Sequence, residues 1–281
     1  MKKIMLDRRQ LVALLSAAAG SAALAGCSSS DDTSDEGSAA ESDTTEEASY
    51  TLVADGYLTV GTSAEYEPFE YMEDGEYKGF DLDMITIIAE NMGLTVEFVN
   101  TDFDALITGV AAGTQYDCAI GAITITPERQ ETVDFSDAYY TDDLSVVTLI
   151  ENEEITSDNY ADILGSEGTI ISVQSGSTAE DYAQENFPSA TLSSYKNATD
   201  CFAELQAGGA DALITNKAVA YQMVASAYDN CQVIKNISTG EEYGIAISQD
   251  NPGLTEAINE QLAALTDDGT IDELMAEYNI G

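Results

Sequence analysis

The feature that most restricts the fold is an alternation of short apolar runs with helix-period segments, repeated in two blocks along the chain. In the first block, Leu58-Thr-Val-Gly-Thr62 reads as a strand and residues 79–93 as a helix. Leu82, Ile85, Ala89 and Met92 share one face of that helix, and Gly93 stops it. Residues 95–99 are the next expected strand, 103–113 the next helix and 116–120 a third strand. A strand at 144–150 leads into the second block, whose strands are expected at 169–173, 191–195, 211–214 and 231–235. Helices ending at Phe187 and spanning 198–207 and 217–228 separate them. Parallel strands need a crossover of roughly a dozen residues or more, usually a helix, so this spacing implies α/β units built on largely parallel sheets. Asp74-Gly75 marks a tight turn, because that pair tolerates positive φ. Near the end, Leu254, Ile258, Leu262 and Leu265 share a helix face, and a last helix ends near Tyr278.

Ligands of open α/β sheets sit outside the carboxyl ends of the strands. Here those ends are the loops at 63–69, 100–103, 121–129, 174–178 and 215–217. The composition narrows what such loops can do. The chain has no histidine and no tryptophan, which removes the commonest general base, the usual Ser-His-Asp triad and most zinc sites. No loop has EF-hand spacing, and neither a cofactor nor a metal is expected.

Lys and Arg number 9 against 52 Asp and Glu. Lys2, Lys3, Arg8 and Arg9, with Asp7, lie in residues 1–26; the remainder keeps 5 basic and 51 acidic groups, a formal charge of −46. That balance repels nucleic acid and anionic lipid, so no nucleic-acid partner is expected.

The basic start is followed by an apolar stretch from Leu11 and then Leu24-Ala25-Gly26-Cys27. A charged segment, a short apolar segment and small residues before a cleavage point make residues 1–26 a secretory signal. Residues 11–26 are shorter than the roughly 20 residues a membrane helix needs. Arg8-Arg9 leaves twin-arginine export open beside the general route. Residues 28–49 carry eight acidic groups, no basic ones and almost nothing to bury, so residues 27–49 read as a disordered, extended tether. Cys118 lies in an apolar strand and reads as a small buried hydrophobe. Spacing leaves open whether Cys201 and Cys231 pair.

Beyond the signal, Arg129 is the one arginine, set after Thr124-Ile-Thr-Pro-Glu. Its planar fork of donors fits a carboxylate bidentately, and two threonine hydroxyls stand beside it. A structural ion pair at a helix start is the alternative these residues leave open.

Thr124-Ile-Thr-Pro-Glu-Arg129 and Val133-Asp-Phe-Ser-Asp-Ala-Tyr-Tyr140 together resemble the family 3 extracellular solute-binding proteins, the polar amino-acid receptors of ABC importers. Gly79-Phe-Asp-Leu-Asp83 and Glu242-Tyr-Gly-Ile-Ala, followed by Asn251-Pro252, Asn259 and Asp268-Gly-Thr, extend the resemblance over roughly residues 55–281. Leu24-Ala-Gly-Cys27 likewise resembles a lipoprotein cleavage box, which implies a lipid on Cys27 and a membrane anchor.

The resemblance implies a two-lobed periplasmic-binding-protein-like α/β fold, each lobe a mostly parallel sheet flanked by helices, joined by a hinge of two crossings near 142–145 and 238–243. Lobe 1 would comprise 50–143 completed by 244–281, and lobe 2 residues 144–243. Arg129 would clamp the ligand's α-carboxylate, with Thr124 offering its hydroxyl and Gly121 and Ala122 their backbone. Gln174, Ser177 and Thr178 would contribute from lobe 2, the latter two at a helix N-terminus. Tyr66 and Phe103 match the positions whose rings sandwich the ligand side chain. The family usually carries an aspartate for the ligand ammonium where Asp211-Ala-Leu-Ile-Thr-Asn216 ends on asparagine. Either the Asn216 amide, helped by a displaced acid such as Glu65, meets an ammonium, or the ligand has none. The implied protein is a monomeric receptor for an amino acid or a related small carboxylate, non-enzymatic, working with a membrane permease. A sensory module and a dehydratase-like enzyme are the alternatives on the same fold.

Overall fold

The structure, a computed structural model, describes residues 49–280. The signal segment, Cys27 and residues 28–48 of the expected tether lie outside the described residues.

The first block forms β1 (Tyr57–Thr62), the small antiparallel strands β2 (Glu65–Tyr66), β3 (Glu70–Glu73) and β4 (Glu76–Lys78), α1 (Phe80–Asn91) and β5 (Thr95–Asn100). A 3₁₀ turn (Phe103–Ala105), α2 (Leu106–Ala112), β6 (Cys118–Ala119), α3 (Pro127–Gln130) and β7 (Asp134–Phe135) complete it. The second block holds β8 (Tyr140–Leu149), α4 (Tyr160–Leu164), β9 (Ile170–Gln174), α5 (Thr178–Asn186) and β10 (Thr191–Tyr195). It continues with α6 (Ala198–Gln206), β11 (Ala212–Asn216), α7 (Lys217–Ser226) and β12 (Cys231–Tyr243). β13 (Ala246–Ile247), α8 (Pro252–Asp267) and α9 (Thr270–Glu277) close the chain.

Two five-stranded sheets result, in the orders β5-β1-β6-β13-β7 and β10-β9-β11-β8-β12. In each, the first three strands run parallel, as helical crossovers require. The fourth strand of each, β13 or β8, runs antiparallel to both its neighbours. They are mixed because the strands that pass between sheets arrive at the second sheet, or return to the first, with no helix to reverse them.

β8 and β12 form the long ribbon between the sheets, paired from Leu149↔Cys231 to Tyr140↔Tyr243, with register breaks after Val233 and Ile237. Both exceed the expected strands, which began at 144 and ended at 235. The polar run Ser238-Thr-Gly-Glu-Glu242 hides strand character that pairing across the crossing creates.

α1 buries Leu82, Ile85 and Ala89 where it packs on β5, α9 and α8, and the Leu254, Ile258, Leu262 and Leu265 of α8 are all buried. Each such side chain contributes roughly 1.5–3 kcal/mol on burial. A second cluster, with Leu144, Val146, Ile171, Val173 and Ile214, covers part of the other lobe, whose Val147, Phe202, Leu205 and Leu213 join the first cluster. Cys118, Cys201 and Cys231 are buried free thiols.

The start of α1 sets up the site. Gly79 has φ +129°, and a Cβ there would lie 2.1 Å from the Phe69 carbonyl oxygen, so no other residue fits. Two residues on, the buried Asp81 carboxylate accepts from the Ala122 N–H at 2.7 Å and the Tyr139 hydroxyl at 2.8 Å. This fixes the 121–125 loop.

Candidate functional site

Nine of the ten candidate residues line one small cavity between the sheets: Tyr66, Phe103, Ala122, Thr124, Arg129, Gln174, Ser177, Thr178 and Asn216. Gly121 lies behind its wall, where a Cβ would press within 3.0 Å of a Glu70 carboxyl oxygen. The cavity measures about 10 Å³, the room a single water needs. Admission of anything larger requires the two sheets to part along β8 and β12.

Thr126 caps α3 by accepting the Arg129 N–H at 3.2 Å, and Pro127 occupies the first turn. This short helix aims Arg129 across the cleft. Its guanidinium donates to the Thr124 carbonyl at 2.7 Å and to the Gly176 carbonyl on the opposite lobe at 3.0 Å. It also lies 5.6 Å from the centroid of the Phe103 ring. Burial lowers its pKa, while Asp181, Glu241 and Glu128 raise it. At the start of α5, the Ser177 hydroxyl accepts from Glu180 N–H and donates to the Gln174 carbonyl, so it serves the helix cap. Thr178 keeps its hydroxyl directed into the cleft.

That hydroxyl meets a residue absent from the sequence reading of the site. The Glu241 carboxylate, only 7% exposed, accepts from Thr124 Oγ1 at 3.0 Å, Thr178 Oγ1 at 2.9 Å and Asn216 Nδ2 at 2.9 Å. One lobe supplies Thr124 and the other supplies Thr178 and Asn216. Pairing explains the location: Thr124 bridges Tyr243, and Ile125 N–H donates to the Glu242 carbonyl at 2.8 Å. The end of β12 is therefore stitched to the Thr124 loop. Successive strand residues point to opposite faces. Glu241 lies behind this cavity's wall, bonded to its Thr124, Thr178 and Asn216, whereas Glu242 lines a larger one of about 700 Å³ on the other side of the ribbon. That larger space has Lys217 as its cation and tyrosines around it, and none of the ten candidate residues lines it.

Asn216 is held on two sides. Its Oδ1 accepts from the Tyr66 hydroxyl at 2.7 Å while its amide nitrogen donates to Glu241. Tyr66 also meets Thr215 Oγ1 at 3.0 Å, and burial raises its pKa. Glu65, named from sequence as a displaced acid, sits at the rim and accepts from the Thr199 hydroxyl at 2.8 Å. Lys196–Asp102 and Ser175–Asp104 at 3.3 Å also join the two lobes, and Gln222–Glu67 at 2.8 Å joins them on the side of the larger cavity.

A cleft between two α/β sheets with these donors is the architecture the sequence motifs implied, and one comparison decides the family. The sequence signature of the bacterial extracellular solute-binding proteins, family 3, matches residues 58–281. The chain belongs to that family.

This solute-binding protein is 30% identical over 227 residues to the arginine-binding extracellular protein ArtP of Bacillus subtilis (strain 168), covering 80% of this chain and 86% of that one. The solved structure of an ancestral arginine-binding protein bound to arginine matches with a TM-score of 0.74 at 34% identity, covering 79% of this chain and 98% of that one. An ancestral amino acid-binding protein described as a precursor of cyclohexadienyl dehydratase matches with a TM-score of 0.74 at 34% identity, over 79% of this chain and 95% of that one. Membership makes the chain an exported protein with a substrate-binding role, in a family that serves amino-acid transport with ABC permeases. Among the described residues, no helix is long and apolar enough to cross a membrane.

Proposed function

We propose that this protein is the receptor of an ABC importer, closing its lobes on an α-amino acid and presenting it to the membrane permease. The observation that carries this reading is convergence. Arg129 and Thr124 from one lobe and Thr178 and Asn216 from the other surround a single cavity. A ligand bound there bridges both lobes and stabilises the shut form, which is the signal a permease reads. Arg129 holds the α-carboxylate; the Phe103 and Tyr66 rings flank the ligand side chain. The surrounding negative field favours a zwitterionic or cationic amino acid over a dicarboxylate. The arginine specificity named for ArtP and for the ancestral protein agrees with that sign of charge.

The protein acts as a monomer, held to the outer face of the cytoplasmic membrane through a lipid on Cys27 and the acidic leash that follows. It binds without turnover, so incubation with a prephenate-like acid should leave that acid unchanged. The test of the reading is titration calorimetry of the twenty amino acids against the wild type and Arg129→Ala. The wild type is expected to bind at least one, and the variant to lose it. A wild type that binds none of them overturns the reading.

A further inference from the structure

We infer that Glu241 is the group that recognises the ligand's ammonium, taking over at the end of β12 the role that an acidic residue at position 216 would otherwise fill. This assignment rests on the amino-acid reading above and names the second charge of that site.

The site holds two charges without an ion-pair partner. Arg129 lines the cavity as a partly buried cation, and Glu241 is a buried anion bonded to three residues of its wall. Among the described residues, ion pairs join Lys78–Glu73, Lys196–Asp102 and Lys217–Asp143, and neither Arg129 nor Glu241 takes part in one. Arg129 donates to two backbone carbonyls, and Glu241 accepts from two hydroxyls and one amide. Opposite charges that could have neutralised each other are thus held apart by neutral groups. A charge without a direct ion-pair partner in a closed cleft carries a desolvation cost that nearby acids offset only in part. A zwitterion whose carboxylate meets Arg129 and whose ammonium meets Glu241 offsets both costs at once. A simple carboxylate offsets one.

The hydrogen bonds show how the acid is readied. All three donors converge on Oε2, so among the described residues Oε1 has no protein donor and could accept from an ammonium that enters between Thr124, Thr178 and Asn216. Asn216 is oriented by the Tyr66 hydroxyl so that its amide nitrogen faces Glu241. An aspartate at 216 would instead set a second carboxylate against the first. Asparagine at that position is therefore what an acid at 241 requires, which removes the apparent deficit of charge in the site.

The experiment compares L-arginine with 5-guanidinopentanoic acid, the same molecule without its α-amino group, by calorimetry on the mature protein. The wild type should prefer L-arginine by roughly 10–100-fold, the range of one charge-assisted hydrogen bond. Glu241→Gln keeps the shape and should bring the two affinities within about threefold, by weakening L-arginine alone. The rim variant Glu65→Gln should keep the preference. The exchange Glu241→Gln with Asn216→Asp returns the carboxylate to the cavity wall and should restore much of it, which also answers any loss of folding in the single variant. A preference unchanged in Glu241→Gln, or an equal loss for both ligands in a folded variant, overturns the assignment while leaving amino-acid binding intact. A wild type that binds neither L-arginine nor any other amino acid removes both.

Discussion

Asp81 lies behind the ligand-facing loop, and its replacement by asparagine should flatten the pH dependence of stability. Its carboxyl is fully buried, and burial pushes its pKa from 3.8 up to about 7 against the opposing pull of the Ala122 N–H and the Tyr139 hydroxyl. Because the folded-state pKa is the raised one, the native state holds this proton more tightly than the unfolded chain. Stability from this group is therefore complete below pH ~4 and is lost as pH rises towards 7. A shift of about 3 units corresponds to about 4 kcal/mol, of which about 3 kcal/mol falls between pH 4.5 and 7.5. Burial and then Asp81 also hold the neighbouring Glu70 well above its usual range, so removing the Asp81 charge relaxes that group too. Asparagine at 81 can still accept from Ala122 and Tyr139 through its carbonyl oxygen, so the loop and ligand binding should survive. Its amide nitrogen takes the place of Asp81 Oδ1, which has no partner, and adds a pH-independent cost of about 1–3 kcal/mol. The readout is therefore the slope. Urea unfolding followed by far-ultraviolet circular dichroism at pH 4.5 and 7.5 measures it, with urea chosen because it does not screen charge. Equal slopes in wild type and Asp81→Asn would refute the reasoning.

Arg129→Ala should weaken amino-acid binding by about 2–5 kcal/mol, the range for truncating one member of a buried charged pair. The melting temperature without ligand should move little, since the side chain's protein partners are two backbone carbonyls. Cys27→Ala should leave the precursor uncleaved and unlipidated by mass spectrometry, whereas a protein beginning near Ser49 should bind with unchanged affinity. Weaker binding by the shortened protein would make the acidic leash part of the site.

Much of this fold can be read from periodicity. The faces of α1 and α8 are legible because Leu82, Ile85 and Ala89, and Leu254, Ile258, Leu262 and Leu265, recur at helical spacing and are buried in the structure. The Asp74-Gly75 turn is legible because both residues adopt positive φ. The length of β12 is not, because Ser238 to Glu242 is polar and becomes strand only by pairing with β8 across the crossing. The antiparallel strand of each sheet has the same origin. Local motifs mark Arg129, Thr124 and the start of α5, since each lies in a short distinctive segment. Glu241 is one of 52 acidic residues, and nothing local separates it from solvated surface. Its one signal is its place in the 238–243 crossing, directly before Glu242-Tyr-Gly-Ile-Ala. Its partners lie 117, 63 and 25 residues away, so its role emerges only when both lobes meet. Asn216, read alone, looked like a missing charge; beside Glu241 it is the amide that orients one.

The most direct test of the account is the identity of the natural ligand. Protein purified without refolding from its own cells should release, on denaturation, a small molecule that mass spectrometry can weigh. The account predicts one α-amino acid, neutral or cationic in its side chain, absent from Arg129→Ala prepared in the same way. A carboxylate without an amino group, or a ligand retained equally by Arg129→Ala, would contradict it.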